Sequence, residues 1–108
     1  MGKKKTSRAE WDRLRLVLMD RARDRCEFCG RMFTGAPGMG TEIHHRKLRS
    51  QGGADDLDNL VLVHTLCHHR AHHYPEQSYE WGWLVRSHDD PAAVPVKIVR
   101  PGTWEKKD

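Results

Sequence analysis

Apolar residues in the first quarter of the chain recur at helical spacing, at Trp11, Leu14, Val17, Leu18 and Ala22. This spacing predicts a helix from residue 8 to residue 24, with its apolar stripe packed against the rest of the protein. Ser7 followed by Glu10 fits a capping box, in which the serine side chain accepts from an early backbone amide and the glutamate reaches back. We expect residues 1–6 to form a disordered basic arm.

The middle of the chain combines two short apolar runs with a short helical pattern. Thr41–Arg46 and Asn59–His64 predict two strands, joined by turn-forming residues and an acidic loop over residues 50–58. His64–His73 predicts a short helix that ends near Pro75, since proline cannot continue a helix. The order of these elements predicts a small α+β fold.

The last third of the chain has a different pattern. Ser78–Val85 and Val94–Val99 are apolar and predict a C-terminal β-hairpin, linked by turn-forming residues 87–91. Three tryptophans fall in or near these segments and are expected to cover the back of the ligand-rich region described below; they are Trp81, Trp83 and Trp104.

Composition indicates one small domain that needs reinforcement. The chain has 108 residues, of which 37% are hydrophobic and 31% charged, so one thin core must stabilise residues 7–108. Such domains are often held by a disulfide or a structural metal. The net charge of +4 suits a nucleic-acid partner. We see no signal peptide and no apolar run of about 20 residues, so we expect a cytoplasmic location and no membrane partner.

Metal-ligand residues are concentrated in one region. Seven of the eight histidines and one of the three cysteines lie between Glu42 and His73. An odd number of cysteines argues against a closed disulfide framework. The Cys-x-x-Cys-Gly sequence at Cys26 and Cys29 has the form of a zinc knuckle. His64 and Cys67 are three residues apart on the predicted helix, and together with the knuckle they would complete a tetrahedral Cys₃His zinc site.

A second ligand group is expected on an adjacent face of the same helix. His68 and His72 are four residues apart, so both lie on one face. The adjacent His44 and His45 point to opposite sides of their strand, so only one of them can join that pair. Three neutral imidazoles leave open positions on a divalent cation, as a catalytic site requires. The other strand histidine is suited to take a proton from water.

These residues resemble the HNH endonuclease family, in which two strands and a helix surround one catalytic cation. The H, N and H of the name correspond to His45, Asn59 and His68, with His72 one helical turn further on. The fuller pattern is also present over residues 26–73, as Cys-x-x-Cys-Gly, Ile-His-His-Arg, Ser-x-Gly-Gly, Asp-x-x-Asn-Leu and Cys-His-x-x-x-His. The chain is most similar to small stand-alone HNH proteins of bacteriophages.

The resemblance implies a role for each matched residue. His45 would be the general base that activates water for attack on a DNA phosphate. His44, His68 and His72 would hold the catalytic divalent cation, which could be Mg²⁺, Mn²⁺, Ni²⁺ or Zn²⁺. Asn59 would tie the loop between the strands and so orient the base. Cleavage would leave 5′-phosphate and 3′-hydroxyl ends.

One position departs from the family pattern. Members with zinc knuckles usually carry Cys-x-x-Cys on the helix side, where this chain has His64 in the first position. Histidine is a competent zinc ligand, so we expect the site to survive. His69 and His73 are the alternative ligands, although we expect both to be exposed or to face phosphate.

Four cations near the proposed active site are candidates for contacts with the DNA backbone, namely Arg46, Lys47, Arg49 and Arg70. Such contacts position DNA without reading its sequence, and they weaken as salt rises. Solvated surface charge is the competing interpretation for each of them.

Three functions follow from these features. The first is a metal-dependent DNA endonuclease that nicks or cuts duplex DNA with low sequence specificity and has no small-molecule substrate. The second is a non-catalytic, zinc-stapled DNA-binding module, which would not need the extra histidines. The third is an accessory protein that works in a larger assembly, such as phage DNA packaging with a terminase, and this role is compatible with nuclease chemistry.

Overall fold

The architecture is α+β, with two strands followed directly by a helix at its centre. The computed structural model describes residues 5–34 and 40–104. The strands are β1 (Thr41–His45) and β2 (Leu60–His64); the helices are α1 (Arg8–Ala22), α2 (Thr65–His73), α3 (Pro75–Trp81) and α4 (Pro101–Trp104); short 3-10 turns occupy Arg49–Gln51 and Pro91–Ala93. No helix among the described residues is long and apolar enough to cross a membrane.

The N-terminal helix starts as the sequence predicts. The Ser7 Oγ accepts from the Glu10 backbone N–H at 3.1 Å, and the Glu10 carboxylate accepts from the Ser7 backbone N–H at 2.9 Å. Leu18 is the fully buried residue of α1, and it packs with Leu60 and Leu62 of β2. The helix ends two residues before the predicted position because Arg23 (φ 54°) adopts the left-handed conformation. Most of the predicted N-terminal arm lies outside the described residues.

The two strands pair antiparallel, with Thr41 opposite His64 and His45 opposite Leu60. The last strand residue, His64, leads straight into α2, so strand and helix form one rigid unit. This arrangement confirms the predicted strand–strand–helix order. It also places the side chains at the end of β1 close to the first turns of α2.

The predicted C-terminal hairpin is wrong. Pro75 starts α3, which runs into the tryptophan region, and Gly82 closes that helix in the left-handed conformation (φ 74°). Residues 94–100 form no strand. Isolated backbone hydrogen bonds connect them to the rest of the fold instead of a strand ladder: the Lys97 N–H donates to the Trp81 carbonyl at 2.9 Å, and the Val99 N–H donates to the Phe28 carbonyl at 2.8 Å.

Two of the three tryptophans cover the cysteines from behind, as expected. The Phe28 and Trp83 rings stack with centroids 4.2 Å apart, and Trp81 meets Trp83 edge-on. All three residues share a buried cluster with Cys26 and Cys67. The side chain of Trp104 lies outside the described residues.

Arg46 is a buried structural residue, so the prediction that it contacts DNA is wrong. Its side chain is 3% exposed. The guanidinium donates to the backbone carbonyls of Gly82 at 2.8 Å and Asp58 at 2.9 Å, and also to two carbonyls in the C-terminal segment, those of Pro91 and Val94. Arg46 therefore joins the end of β1 to the C-terminal segment.

We expect Arg46→Met to lower the free energy of unfolding by at least about 3 kcal/mol, because buried carbonyls that lose their donor cost about 1–3 kcal/mol each. Urea titration followed by circular dichroism measures this loss. Arg13→Met, on the exposed surface of α1, is the matched control and should change stability by less than about 0.5 kcal/mol. Equal stability of the two variants would contradict the structural role of Arg46.

Candidate active site and metal centres

The structure brings the Cys₃His residues into one group. The potential ligand atoms of Cys26, Cys29, His64 and Cys67 all lie within 4.8 Å of one another. The His64 Nδ1 is 3.3 Å from the Cys29 Sγ and 3.9 Å from the Cys67 Sγ. The three thiols are buried and none forms a disulfide. Three sulfurs and one imidazole at these distances match the donor set of a closed structural zinc site.

The turn around Cys26 prepares its sulfur to carry negative charge. The backbone N–H groups of Phe28, Cys29 and His64 each lie 3.4 Å from the Cys26 Sγ. A hydrogen bond from the Cys67 thiol, together with these amides, lowers the pKa of Cys26 to about 5. Burial raises the pKa of Cys29, so the metal-free group holds thiolate and thiols together. A bound cation would stabilise the deprotonated, thiolate form of these cysteines.

A second ligand group joins β1 to α2. One potential ligand nitrogen from each of His44, His68 and His72 lies within 4.8 Å of the other two. The ring centroid of His44 is 5.0 Å from that of His68 and 5.3 Å from that of His72. The sequence left open which of the two adjacent strand histidines joins this group, and the structure places His44 there.

The environment of His44 fits a cation. The His44 side chain is 1% exposed, and its Nε2 lies 2.9 Å from the Trp83 carbonyl oxygen. Its Nδ1 is buried and has no hydrogen-bond partner among the described residues. Burial lowers the pKa of His44 to about 3, so the ring is neutral at physiological pH. A buried imidazole nitrogen with no hydrogen-bond partner, in a group with two further imidazoles, fits the donor set of a divalent cation.

Glu42 orients the second ligand of this group. Its carboxylate lies 2.6 Å from the His68 Nδ1, so a neutral His68 donates there and keeps Nε2 for a cation. Burial alone would raise the pKa of Glu42, but the hydrogen bonds with His68 and Thr65 and the charges of the neighbouring histidines together outweigh it, so the pKa is lowered. Glu42 was not predicted as a site residue from the sequence, although the alternation of strand side chains puts it on the same face as His44.

His72 keeps the group accessible. This residue is exposed on α2, in contrast to the buried His44. Its pKa is lowered, first by partial burial and then by the neighbouring His68, so the neutral form is favoured. A three-imidazole group with one exposed member leaves room for substrate.

His45 lies on the other side of β1 from His44. Its Nε2 is 2.7 Å from a carboxylate oxygen of Asp55, and its side chain is 18% exposed. The Trp11 ring meets the His45 ring edge-on, with centroids 6.0 Å apart. The His45 imidazole is thus partly accessible to solvent, and it contacts Asp55 and Trp11.

Asn59 organises the loop between the strands. Its side chain accepts from the Lys47 N–H at 2.7 Å and donates to the Lys47 and Ala54 carbonyls, both at 3.0 Å. Asn59 is 2% exposed. A Cβ at Gly53 would approach the Lys47 carbonyl oxygen to 1.8 Å, so only glycine fits there. Asn59 and Gly53 therefore set the path of the chain after His45.

The remaining candidate residues differ in their surroundings. Arg49 is exposed and reaches Asp55 at 3.4 Å, and Lys47 is half-buried. Arg70 packs against α3 and the residue before it instead, with its guanidinium 5.4 Å from the Trp81 ring centroid and 4.5 Å from the Tyr74 ring centroid. Neither of the alternative ligands, His69 and His73, belongs to a ligand group among the described residues, and both are exposed.

Comparison with known proteins places these groups within one matched range. Residues 26–74 match the family model described as HNH endonuclease. A protein of Enterobacteria phage T4 named "Probable mobile endonuclease C" is 43% identical over 51 residues, which cover 43% of this chain. The alignment spans only 24% of that relative, so the chain corresponds to about a quarter of its length. No solved structure matches the chain.

Proposed function

We propose that this protein is a metal-dependent DNA endonuclease, because residues 26–74 match the HNH endonuclease family and are similar to part of a phage endonuclease. The reaction is hydrolysis of a phosphodiester bond in duplex DNA by water that His45 activates. The structural zinc is held by the Cys₃His group, and the catalytic divalent cation by His44, His68 and His72.

One observation carries the proposal. Strand β1 places His44 beside two helix histidines with an unpaired buried nitrogen, and it places the next residue, His45, on its opposite side. A zinc-stapled binding module needs the cysteine group but has no use for a second, half-open imidazole group. A candidate cation ligand, His44, next to a histidine outside the cation group, His45, therefore favours catalysis over binding alone.

His45 acts as the general base in this mechanism. Its imidazole takes one proton from a water molecule, whose oxygen then forms a bond to phosphorus. The bond between phosphorus and the 3′ oxygen breaks, and that oxygen acquires a proton from solvent, which leaves 5′-phosphate and 3′-hydroxyl ends. His44, His68 and His72 would hold the divalent cation, which would supply charge neutralisation at the phosphate and the leaving oxygen.

Other residues hold the base and the substrate in place. Asn59 fixes the loop that follows His45 through its three backbone hydrogen bonds. Lys47 and Arg49 lie on that loop, where their charges can meet the DNA backbone. Because backbone contacts carry little sequence information, we propose weak sequence specificity. Participation in phage DNA packaging stays a prediction.

The proposal is tested by plasmid nicking with protein stripped of its loosely held cation. The zinc-containing chain should be inactive alone and should convert supercoiled plasmid to open circles when Mg²⁺, Mn²⁺ or Ni²⁺ is added, because the half-open imidazole group exchanges its cation more readily than the buried cysteine group. Gel electrophoresis of the plasmid follows the reaction.

His44→Ala serves as the matched ligand variant in the same assay. It should lose the response to added cation while it retains zinc in the cysteine group. Absence of cleavage with every cation, combined with salt-sensitive DNA binding, would instead support the zinc-stapled binding module.

A further inference from the structure

We propose that Asp55 is a positioning residue for His45, and that it holds the imidazole with its Nε2–H toward the carboxylate and its Nδ1 free to accept a proton. This inference rests on the proposed function of His45 as general base. It assigns a role to a residue of the acidic loop, and it adds supporting contacts from Thr6 and Trp11, which precede the matched range.

The contact between the two side chains is close and partly protected. The His45 Nε2 lies 2.7 Å from the Asp55 Oδ1, and the two side chains are 18% and 19% exposed. A neutral imidazole has one N–H donor and one acceptor nitrogen, whereas an ionised carboxylate only accepts. The pair is therefore compatible with a proton on Nε2, which leaves the lone pair on Nδ1.

Asp55 is kept ionised by its neighbours. Partial burial would raise the pKa of Asp55, but hydrogen bonds from Thr6 and His45 and the charge of Arg49 outweigh it, so the pKa is lowered. The Arg49 guanidinium lies 3.4 Å from both carboxylate oxygens. An ionised carboxylate both selects the tautomer and stabilises the imidazolium that forms when His45 accepts a proton.

The position of Asp55 is set from two directions. Asn59 donates to the carbonyl of Ala54, the residue immediately before Asp55, which fixes the loop backbone. Thr6 donates to the Asp55 carboxylate, and Trp11 of α1 packs edge-on against the His45 ring. Residues before position 26 thus hold the base, although the family match begins at Cys26.

Asp55→Asn and Asp55→Ala, each compared with the wild type, separate positioning from simple structural support. An amide can offer N–H to Nε2 and thereby favour the opposite tautomer, so Asp55→Asn should lower kcat by about 10²-fold or more with little change in KM. Asp55→Ala should be less harmful than Asp55→Asn, because alanine enforces no tautomer. A purely structural role predicts the reverse order, since asparagine preserves shape and alanine does not.

The spectroscopic readout is the ¹⁵N spectrum of His45 in the full-length, zinc-containing chain. We expect the wild type to show the Nε2–H tautomer and Asp55→Asn to lose it. Asp56→Asn, at the adjacent exposed aspartate, is the matched control and should leave both kcat and the spectrum unchanged.

Two results would overturn the proposal in distinguishable ways. If the wild type cleaves DNA but Asp55→Asn retains its kcat or its tautomer, the positioning role alone is overturned. If the wild type does not cleave with any added cation, the proposed function is overturned, and the catalytic role of Asp55 with it.

Discussion

Replacement of His45 by alanine is expected to reduce plasmid nicking by about 10²–10⁴-fold, the usual contribution of a general base. The reason is that no other described imidazole is placed to substitute for it. His44 is buried and belongs to the cation group, while His69 and His73 are exposed. The nicking rate at saturating DNA and saturating cation measures the effect.

The fold should survive this change, because His45 is half-buried and contributes to neither buried cluster. Zinc content and the melting temperature of His45→Ala should therefore match the wild type. His88→Ala, at an exposed histidine in the C-terminal segment, is the control and should nick normally. Undiminished nicking by His45→Ala would refute the assigned mechanism.

Replacement of Cys67 by serine is expected to remove the structural zinc and to leave the protein largely unfolded at 37 °C. Zinc binding to such groups is worth about 10–16 kcal/mol in small domains, which is comparable with the whole stability of about 5–15 kcal/mol of an ordinary domain. The core here is thin, and the cysteines form part of it. Metal analysis by mass spectrometry and thermal melting by circular dichroism measure the two effects.

A chelator distinguishes loss of zinc from loss of packing at Cys67, which is 3% exposed. Strong chelation should lower the melting temperature of the wild type but leave Cys67→Ser unaffected, because that variant has no zinc to lose. His64→Cys is the matched control and should keep zinc, since four thiolates also make a closed tetrahedral site. A lower melting temperature of Cys67→Ser in the presence of the chelator would show that zinc loss alone does not explain the effect of this substitution.

The two candidate ligand groups share one helix, α2. Cys67 and His68 are adjacent on α2, about 100° apart around its axis. The structural group anchors the start of α2 against the knuckle, while the neighbouring face presents His68 and His72 to β1. Loss of zinc should therefore also disorganise the catalytic group.

Local spacing determined much of this protein. The capping box and apolar stripe predicted α1 to within two residues of its end, because first-turn capping and helix periodicity both depend on residues of the helix itself. The strand–strand–helix order followed from short apolar runs and turn residues. Both ligand groups could be proposed from sequence, because histidines and cysteines at helical spacing share a face wherever that helix packs.

Only the tertiary structure decided the contacts between distant segments. Alternation in a strand separates His44 from His45 but does not say which faces α2. The basic character of Arg46 suggested DNA, yet its position against the C-terminal segment buries it among backbone carbonyls. The run Ser78–Val85 predicted a strand, yet its first residues belong to α3, which begins at Pro75 and packs Trp81 into the buried cluster with Phe28. Asp55 reaches His45, ten residues earlier in the chain, because the loop between the strands returns toward the end of β1, and neither helix nor strand periodicity encodes that contact.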